Sequence, residues 1–291
     1  MQTIPIFTDD PGWHGTKLTS ALAQHNIQTV FVSLKDCTID LSDTQAKIHI
    51  PGMSQQPMKA FVRGVPGGTL QQVIARLDIL HMMQMMGVQV VNSGRAIERT
   101  VDKAMTSFLL HQAGIPTPAT WVLESRQQAH HIIANELQQG NAIVIKPLFG
   151  SQGNGVRKIE KGDAMPLPMD SYVDGLFYLQ RYINSGEGEW HDYRVFVVAH
   201  KAIAAMTRHG MQWVNNVALG ARCEPCYQPE VIALAEAASK ALDIDYCGVD
   251  IIQAKSGQYY VLEVNGIPAW KGLQGVSEVN VAQRLADLLV D

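Results

Sequence analysis

The sequence predicts an α/β protein in which an N-terminal doubly wound parallel sheet is followed by segments of α+β type. Apolar runs of strand length alternate with helical patterns over residues 1–98, and this alternation is typical of parallel βαβ units. Farther along, two β-rich runs directly flank a turn at 255–257, which indicates an antiparallel hairpin. The chain is therefore expected to contain more than one kind of sheet.

The first block is delimited by apolar runs and by residues that end helices. Five regular elements are predicted there: strands at 4–8, 29–33 and 60–63, and helices at 16–24 and 69–86. One face of the long helix is predicted to be buried, because apolar residues recur on it at helical spacing: Leu70, Val73, Ile74, Leu77 and Leu80. Gly87 ends this helix, because glycine readily adopts the left-handed conformation. The methionines nearby favour packing in a core or against a second copy, so a homo-oligomer stays open.

The remaining blocks begin near residues 99 and 176, which divides the chain into segments 1–98, 99–175 and 176–291. The elements predicted for them are helices at 102–112, 229–242 and 279–290, and strands at 142–145, 176–183, 193–199, 201–206, 248–254 and 258–265. With 291 residues and 46% hydrophobic content, the chain is long enough for two or three domains.

Composition argues against several classes of function. Acidic residues outnumber basic ones, 27 to 23, and the absence of a basic tract disfavours a nucleic-acid partner. No run approaches the ~18 to 20 apolar residues of a membrane span, and the start resembles no secretory signal. We therefore expect a cytoplasmic protein without a membrane partner. Cys223 and Cys226 form a CxxC that lacks the second pair of a zinc site, so we interpret them as incidental thiols.

The C-terminal hairpin carries the strongest chemical signal. Because side chains alternate along a strand, a hairpin around the 255–257 turn is expected to place Asp250 opposite Glu263, with Asn265 on the same face. Two carboxylates and an amide oxygen are the hard ligands that magnesium or manganese takes when it bridges phosphates. The alternative is a pair of surface acids, and a one-residue bulge would break the register.

A glycine-rich loop follows the predicted strand at 142–145. Lys146 ends the strand, and Gly150, Ser151 and Gly153 lie in the loop. Small residues let backbone amides approach an anion and the lysine adds positive charge, so the segment predicts a phosphate-binding lid. The spacing is that of neither a Walker nor a Rossmann motif, and taken alone it is more typical of an ordinary flexible hairpin.

Several further segments stand in a recognisable order from about Arg63 to the C-terminus. They are SGRAIERTVDK (93–103), VIKPLFGSQGNGV (144–156), LQRYI (179–183), HDYRVFVV (191–198), NNVALG (215–220), GVDII (248–252) and LEVNGIPAW (262–270). This order resembles the RimK-type glutamate ligases of the ATP-grasp superfamily. The resemblance implies an ATP-grasp fold, with the nucleotide between two α+β domains, and an ATP-dependent ligase that joins a carboxylate to an amine through an acyl phosphate.

The resemblance also implies roles for individual residues. Those implied to contact ATP are Lys103, Lys146, Gly150, Ser151, Gly153, Gln180, Arg181, Tyr182, Ile183, Asp192 and Asn216. Lys146 and Arg194 are the implied catalytic charges at the transferred phosphate, although an ion pair of Arg194 with Asp192 is the alternative. The implied magnesium ligands are Asp250, Glu263 and Asn265, in agreement with the hairpin pattern.

Three departures from the family pattern bear on these roles. Arg181 stands where the family usually has a glutamate, so the contact to adenine there rests on the backbone. Val214 replaces an arginine that often precedes Asn216, which makes Arg208 the candidate to supply that charge. A slightly longer segment after the hinge leaves Glu187 or Glu189 as the ribose contact.

Substrate residues are expected at the carboxyl ends of the parallel strands, where ligands of open α/β sheets bind. Trp13 could stack on a planar ring or only pack its loop, Arg63 or Arg95 could clamp a carboxylate, and His14 is expected to be solvated. The segments KPLFGSQGNG and EVNGIPAWKGLQ resemble the subgroup linked to tetrahydromethanopterin. That likeness implies glutamate addition to a pterin or furan cofactor, with a peptide carboxylate as another acceptor. A small-molecule kinase and a silent nucleotide-binding module stay open as alternatives.

Overall fold

The computed structural model describes residues 2–150, 155–163, 174–186, 190–213 and 220–290, which form three main sheets. The first segment contains β1 (Thr3–Phe7), α1 (Gly12–Ala23), β2 (Gln28–Val32), a 3-10 turn (Leu34–Asp36), β3 (Thr38–Asp40), β4 (Lys47–His49), β5 (Lys59–Val62), α2 (Leu70–Met85) and β6 (Gln89–Val91). Its main sheet has the order β2-β1-β5-β6 and is parallel throughout, as predicted. The small antiparallel pair of β3 and β4 was not predicted.

Helix α2 buries only part of the face that its apolar spacing predicts. Leu80 is buried as predicted, but Leu70 and Ile74 are 73% and 48% exposed, and the polar Arg76 is buried instead. Arg76 tolerates burial because its guanidinium donates to two backbone carbonyls at 2.8 Å. The predicted end is correct, since Gly87 follows the helix with φ +88°.

The middle of the chain builds an antiparallel sheet with its own core. Its elements are α3 (Gly94–Val101), α4 (Lys103–Gln112), β7 (Thr120–Leu123), α5 (Arg126–Gln138), β8 (Ile143–Lys146), β9 (Arg157–Ile159) and β10 (Phe177–Arg181). The strand order is β7-β10-β8-β9. Ile133 of α5 packs with Ile145 and Leu179 beneath this sheet. Helix α3 is an addition to the prediction, and Ser93 caps it by accepting from the Ala96 amide.

The C-terminal part is a five-stranded antiparallel sheet with helices on both faces. Its elements are β11 (Trp190–Val198), β12 (Lys201–Gly210), β13 (Arg222–Pro225), α6 (Pro229–Leu242), β14 (Tyr246–Gln253), β15 (Tyr259–Asn265), α7 (Lys271–Gln274) and α8 (Val281–Val290). The order is β13-β12-β11-β14-β15. Helix α6 covers one face, where Ala235 packs with Val195 and Val249. Among the described residues, no helix is long and apolar enough to cross a membrane.

The N-terminal and C-terminal sheets share one core. Phe61 of β5 stacks on Tyr246 of β14, with ring centroids 5.1 Å apart. Asn92 is fully buried and donates to the carbonyls of Tyr246 and Gly266 at 2.8 and 2.5 Å. The Tyr246 hydroxyl donates to the Val62 carbonyl at 2.6 Å. These contacts fix the carboxyl ends of β1 and β5 beside the sheet that carries the hairpin.

Candidate active site

Asp250 and Glu263 lie opposite each other in the hairpin of β14 and β15, as the sequence predicts. The pairing depends on a bulge. Toward the turn Ile251 pairs with Val261, so a regular ladder would bring Leu262 opposite Asp250. The bulge makes Leu262 an extra residue and advances Glu263 by one position. The irregularity that was expected to break the carboxylate pair is what creates it.

Asp250 is held by two arginines from neighbouring strands. Arg194 of β11 donates to its two oxygens from Nε at 2.7 Å and from Nη2 at 2.5 Å, and Arg208 of β12 donates from Nη2 at 3.0 Å. Arg208 also donates to both oxygens of Asp192, from Nε and Nη2. Burial acts to raise the pKa of Asp250, but the two guanidinium charges hold it below its usual value. Arg194 thus pairs with Asp250, and the alternative pairing of Arg194 with Asp192 gives way to that of Asp192 with Arg208.

Glu263 and Asn265 have side-chain oxygens that accept no hydrogen bond from another described residue. Asn265 donates its Nδ2 to Asp250 at 3.3 Å, and its carbonyl oxygen accepts no hydrogen bond from a described residue. Glu263 is partly buried and forms no ion pair or hydrogen bond with another described residue. In contrast, Asp250 accepts four contacts, which is about the capacity of a carboxylate.

The chemistry of this donor set fits a hard divalent cation. The described part of the chain contains no group of three or more His, Cys, Asp or Glu side chains that could hold a metal ion. A metal at this place would therefore use the two carboxylates together with the amide oxygen. All three are oxygen ligands, which suits magnesium or manganese.

Lys146 faces the hairpin from the end of β8. Its ammonium donates to the side-chain carbonyl of Gln180 at 2.7 Å. Burial lowers the pKa of Lys146, and the negative charge of Glu263 acts in the opposite direction. Burial also lowers the pKa of Lys103, again against the charge of Glu263. The two lysines and the open carboxylate therefore share one electrostatic environment.

The glycine-rich loop is described up to Gly150 and again from Gly155. Lys103, at the start of α4, donates to the carbonyls of Leu148 and Gly150 at 3.1 and 2.9 Å. Gly150 and Gly155 have φ values of +149° and +74°, which favour glycine. Lys103 is thus bonded to the base of the loop. Predicted residues that lie outside the described ranges are Ser151, Gly153, Glu187, Glu189, Val214 and Asn216.

The hinge after β10 has one backbone donor that no described residue uses. The amides of Arg181 and Tyr182 each donate to a backbone carbonyl at 2.8 Å. The Ile183 amide donates to no group in the described part of the chain. The Arg181 guanidinium binds both oxygens of the buried Glu136 on α5, at 2.8 and 2.9 Å. This side chain therefore joins the hinge strand to α5.

An aromatic cluster lies where β1 and β5 end. The fully buried Trp270 ring lies 4.5 Å from His14 and 6.3 Å from Trp13, centroid to centroid. The Arg63 guanidinium lies 4.9 Å from the Trp270 centroid and donates to the Pro268 carbonyl at 3.0 Å. His14 accepts from the Trp270 amide, and burial lowers its pKa to about 4. The expectation that His14 is solvated is wrong.

Two other sequence interpretations can be compared with the structure. Arg95 is exposed near the start of α3. Cys223 packs beside the core of Trp270, whereas Cys226 lies in the core on the opposite face of the five-stranded sheet. The two thiols are both free and point away from each other, so they form no shared site.

A model of the RimK-like ATP-grasp domain matches residues 100–289 of this chain. The chain belongs to the RimK-like ATP-grasp family. A tetrahydromethanopterin:alpha-L-glutamate ligase of Methanococcus maripaludis is 31% identical over 97% of this chain and 96% of that protein. Its counterpart in Methanocaldococcus jannaschii is 35% identical over 74% of each. A probable alpha-L-glutamate ligase of Thioalkalivibrio sulfidiphilus is 29% identical over 98% of this chain and 94% of that protein.

Solved structures confirm the predicted fold class. The ATP-grasp ligase PsnB, in complex with its minimal precursor, superimposes with a TM-score of 0.75 at 21% identity and covers 100% of this chain and 98% of its own. A RimK domain ATP-grasp protein from Sphaerobacter thermophilus gives 0.72 at 19% identity, over 98% of both chains. With the family established, the predicted enzyme class is confirmed as an ATP-dependent ligase that forms carbon–nitrogen bonds.

Sequence analysis missed several side chains that hold this site in place. Glu136 carries a detectable signal, because an acid at helical spacing from the buried Ala129 and Ile133 requires a partner such as Arg181. Trp270 ends the segment LEVNGIPAW but was not singled out there. Asn92 offers no comparable signal, since its partners lie more than 150 residues away.

Proposed function

We propose that this chain uses ATP to join L-glutamate to a carboxylate of a small cofactor of pterin or furan type. The observation that carries the proposal is the 31% identity, over nearly the whole of both chains, with the tetrahydromethanopterin:alpha-L-glutamate ligase of Methanococcus maripaludis. A peptide carboxylate is the second candidate acceptor, favoured by the PsnB structure with its precursor. An enzyme of this kind would act on small molecules in the cytoplasm, where ATP and glutamate are available.

The proposed site divides the binding of ATP among three elements. Glu263 and Asn265 offer oxygens for a magnesium or manganese ion. Asp250 would act as the third ligand by giving up one of its contacts with an arginine. When bound, such an ion withdraws negative charge from the phosphates. Lys146 supplies a further positive charge from β8, and the Ile183 amide is the free hinge donor for adenine.

What the reaction needs from the protein is charge balance and exclusion of water, and it needs no nucleophilic side chain. The acceptor carboxylate attacks the terminal phosphorus of ATP, ADP leaves, and glutamate's amine then displaces phosphate from the acyl phosphate. Arg194 and Lys146 would balance the charge that moves during the first step. Arg194 suits this task because Asp250 fixes its guanidinium at two nitrogens. The loop from Phe149 would limit access of water.

We further propose that residues 1–98 bind the acceptor, while 99–175 and 176–291 enclose the nucleotide. Trp13 and Arg63 lie at the strand ends expected to receive a ligand, next to the sheet that carries Arg194 and Arg208. Arg208 is buried between two aspartates, so we assign it to holding that charged face in place. Arg95 is the exposed candidate for the carboxylate of an incoming substrate.

A screen of ADP release tests this function. Purified protein is incubated with ATP, magnesium, single amino acids and carboxylate acceptors of pterin, furan and peptide type. ADP release is measured, and the masses of the products are determined by mass spectrometry. The proposal expects a mass gain of one or more glutamyl units. Hydroxylamine should trap an acyl phosphate when the amino acid is omitted. A stable phosphoester would instead identify a kinase, and ADP release with no acceptor dependence would reject the ligase reaction.

A further inference from the structure

The side chain of Gln180 lies in the middle of a buried hydrogen-bond chain that ends on Lys146. Gln180 is 2% exposed, and its carbonyl accepts from the Lys146 ammonium at 2.7 Å. Its amide nitrogen donates to the Thr120 and Tyr178 hydroxyls at 3.2 and 3.3 Å. The Tyr178 hydroxyl lies 2.7 Å from that of Ser107 on α4. Four elements, β7, β8, β10 and α4, thus contribute to one chain of hydrogen bonds.

The directions of the bonds made by Gln180 are fixed by what each group can donate. An ammonium only donates, so Gln180 must turn its carbonyl toward Lys146 and its NH₂ toward the two hydroxyls. The Thr120 hydroxyl donates in turn to the Pro118 carbonyl at 2.8 Å. Either hydroxyl of the Ser107–Tyr178 pair could donate, and because Tyr178 already accepts from Gln180, we take Tyr178 to donate to Ser107. In that arrangement the serine, through the tyrosine, favours one orientation of the amide toward the lysine.

We propose that Gln180 is the positioning residue for Lys146 and that Tyr178 and Ser107 fix its orientation. This inference rests on the proposed binding of ATP phosphates by Lys146. A neutral amide suits the position, because it directs the ammonium without cancelling the charge that the phosphates require. A carboxylate at the same place would form an ion pair with Lys146 and compete with the nucleotide.

The first test replaces Gln180 and measures the dissociation constant of ATP by calorimetry. Gln180→Leu should weaken ATP binding about tenfold, the scale of a hydrogen bond to a charged group. Gln180→Glu should weaken it further at pH 8, because the carboxylate neutralises the lysine. As the pH falls, the glutamate protonates and becomes a neutral acceptor, so its affinity relative to wild type should recover. A structural defect alone would not produce this recovery, and a constant ratio across pH overturns the proposal.

The second test uses a double-mutant cycle on the two hydroxyl groups. Ser107→Ala leaves the Tyr178 hydroxyl without its acceptor, so the hydroxyl turns toward Gln180 and draws the carbonyl away from Lys146. Tyr178→Phe removes that competing donor. We therefore expect Ser107→Ala to weaken ATP binding by roughly threefold to tenfold, on the scale of one net hydrogen bond. The double variant Ser107→Ala/Tyr178→Phe should bind ATP more tightly than Ser107→Ala alone.

Ser239→Ala is the matched control. Ser239 is a fully buried serine of α6 whose hydroxyl bonds a histidine at 2.7 Å. It lies on the face of the five-stranded sheet opposite to that of Arg194. The substitution should lower thermal stability comparably without altering ATP affinity. A double variant weaker than both single variants would show ordinary additive damage and would overturn the proposed orientation. Because ATP binding is the readout, failure of glutamate ligation would reject the proposed function and leave this result intact. If Gln180→Leu does not fold, the Ser107 and Tyr178 variants decide the matter.

Discussion

One face of the five-stranded sheet is charged toward one end and aromatic toward the other, and the change occurs within two residues on a strand. On β11, Arg194 binds Asp250, whereas Phe196 packs at 6.0 Å from the buried Trp270 ring. On β14, Asp250 is followed in the same direction by Gly248, where an added Cβ would lie 2.9 Å from a proline side chain. Chemistry and packing thus occupy one surface. Changes in the aromatic half should alter stability, and changes in the charged half should alter turnover.

Substitution in the aromatic half of this face should have the largest effect, and the effect should be on the free energy of unfolding. Trp270→Ala should lower the free energy of unfolding by about 4 kcal/mol, because a fully buried indole leaves a cavity. Urea unfolding measures the change. Trp270→Phe is the milder change, because the buried indole nitrogen has no hydrogen-bond partner among the described residues and its removal breaks no bond there. Loss of ATP binding at unchanged stability would contradict the division of the face.

In the charged half, Arg194→Ala should lower turnover by roughly two decades, about 3 kcal/mol, with little change in ATP affinity. The reason is that charge on the transferred phosphate is greatest in the transition state. Arg194→Lys should retain only part of the turnover that Arg194→Ala loses, because lysine lacks the planar guanidinium. Arg222→Ala is the control, an exposed arginine of β13 in the same sheet. An Arg194→Ala variant that keeps its turnover and melts early would make the arginine structural.

Glu263→Gln should raise the magnesium concentration needed for half-maximal turnover by roughly ten- to a hundredfold. Glu263 is the carboxylate of the site without an ion pair among the described residues, so the loss falls on the metal and not on the sheet. Magnesium titrations of turnover and of ATP binding measure the shift. Glu230→Gln, at an exposed glutamate, is the matched control and should leave the magnesium requirement unchanged. An unchanged magnesium requirement would remove Glu263 from the metal site.

His14 should give the smallest effect, visible as a dependence of stability on pH. Burial lowers its pKa from 6.5 to about 4, so the unfolded chain takes up a proton before the folded one does. Its contribution to stability is therefore complete above pH 6.5 and decreases as the pH falls toward 4. His14→Gln should make the urea midpoint less dependent on pH over this window. His111→Gln, at an exposed histidine, should leave that dependence unchanged. Equal slopes in all three proteins would show that His14 titrates normally.

The sequence predicted the parallel N-terminal sheet and the carboxylate hairpin because both depend on patterns between neighbours in the chain. It did not predict the partner of Arg194, since Asp250 is 56 residues away and meets it only through the register of β11 with β14. The buried face of α2 was predicted only in part, since Leu80 is buried but Leu70 and Ile74 are exposed. Apolar spacing cannot show that Arg76 finds two carbonyl acceptors and goes inside while Leu70 stays out.

The bulge in β15 bears on how this hairpin tolerates insertions and deletions. Val261 and Val264 face the same core although they are three residues apart, because Leu262 is the additional residue between them. Removing Leu262 would leave Ile251 opposite Val261 and bring the former Glu263 opposite Asp250 in an unbroken ladder. The hairpin can therefore lose one residue at this position and keep both of its faces, whereas deletion of Val264 would bring Asn265 opposite Val249 and turn its amide toward the core.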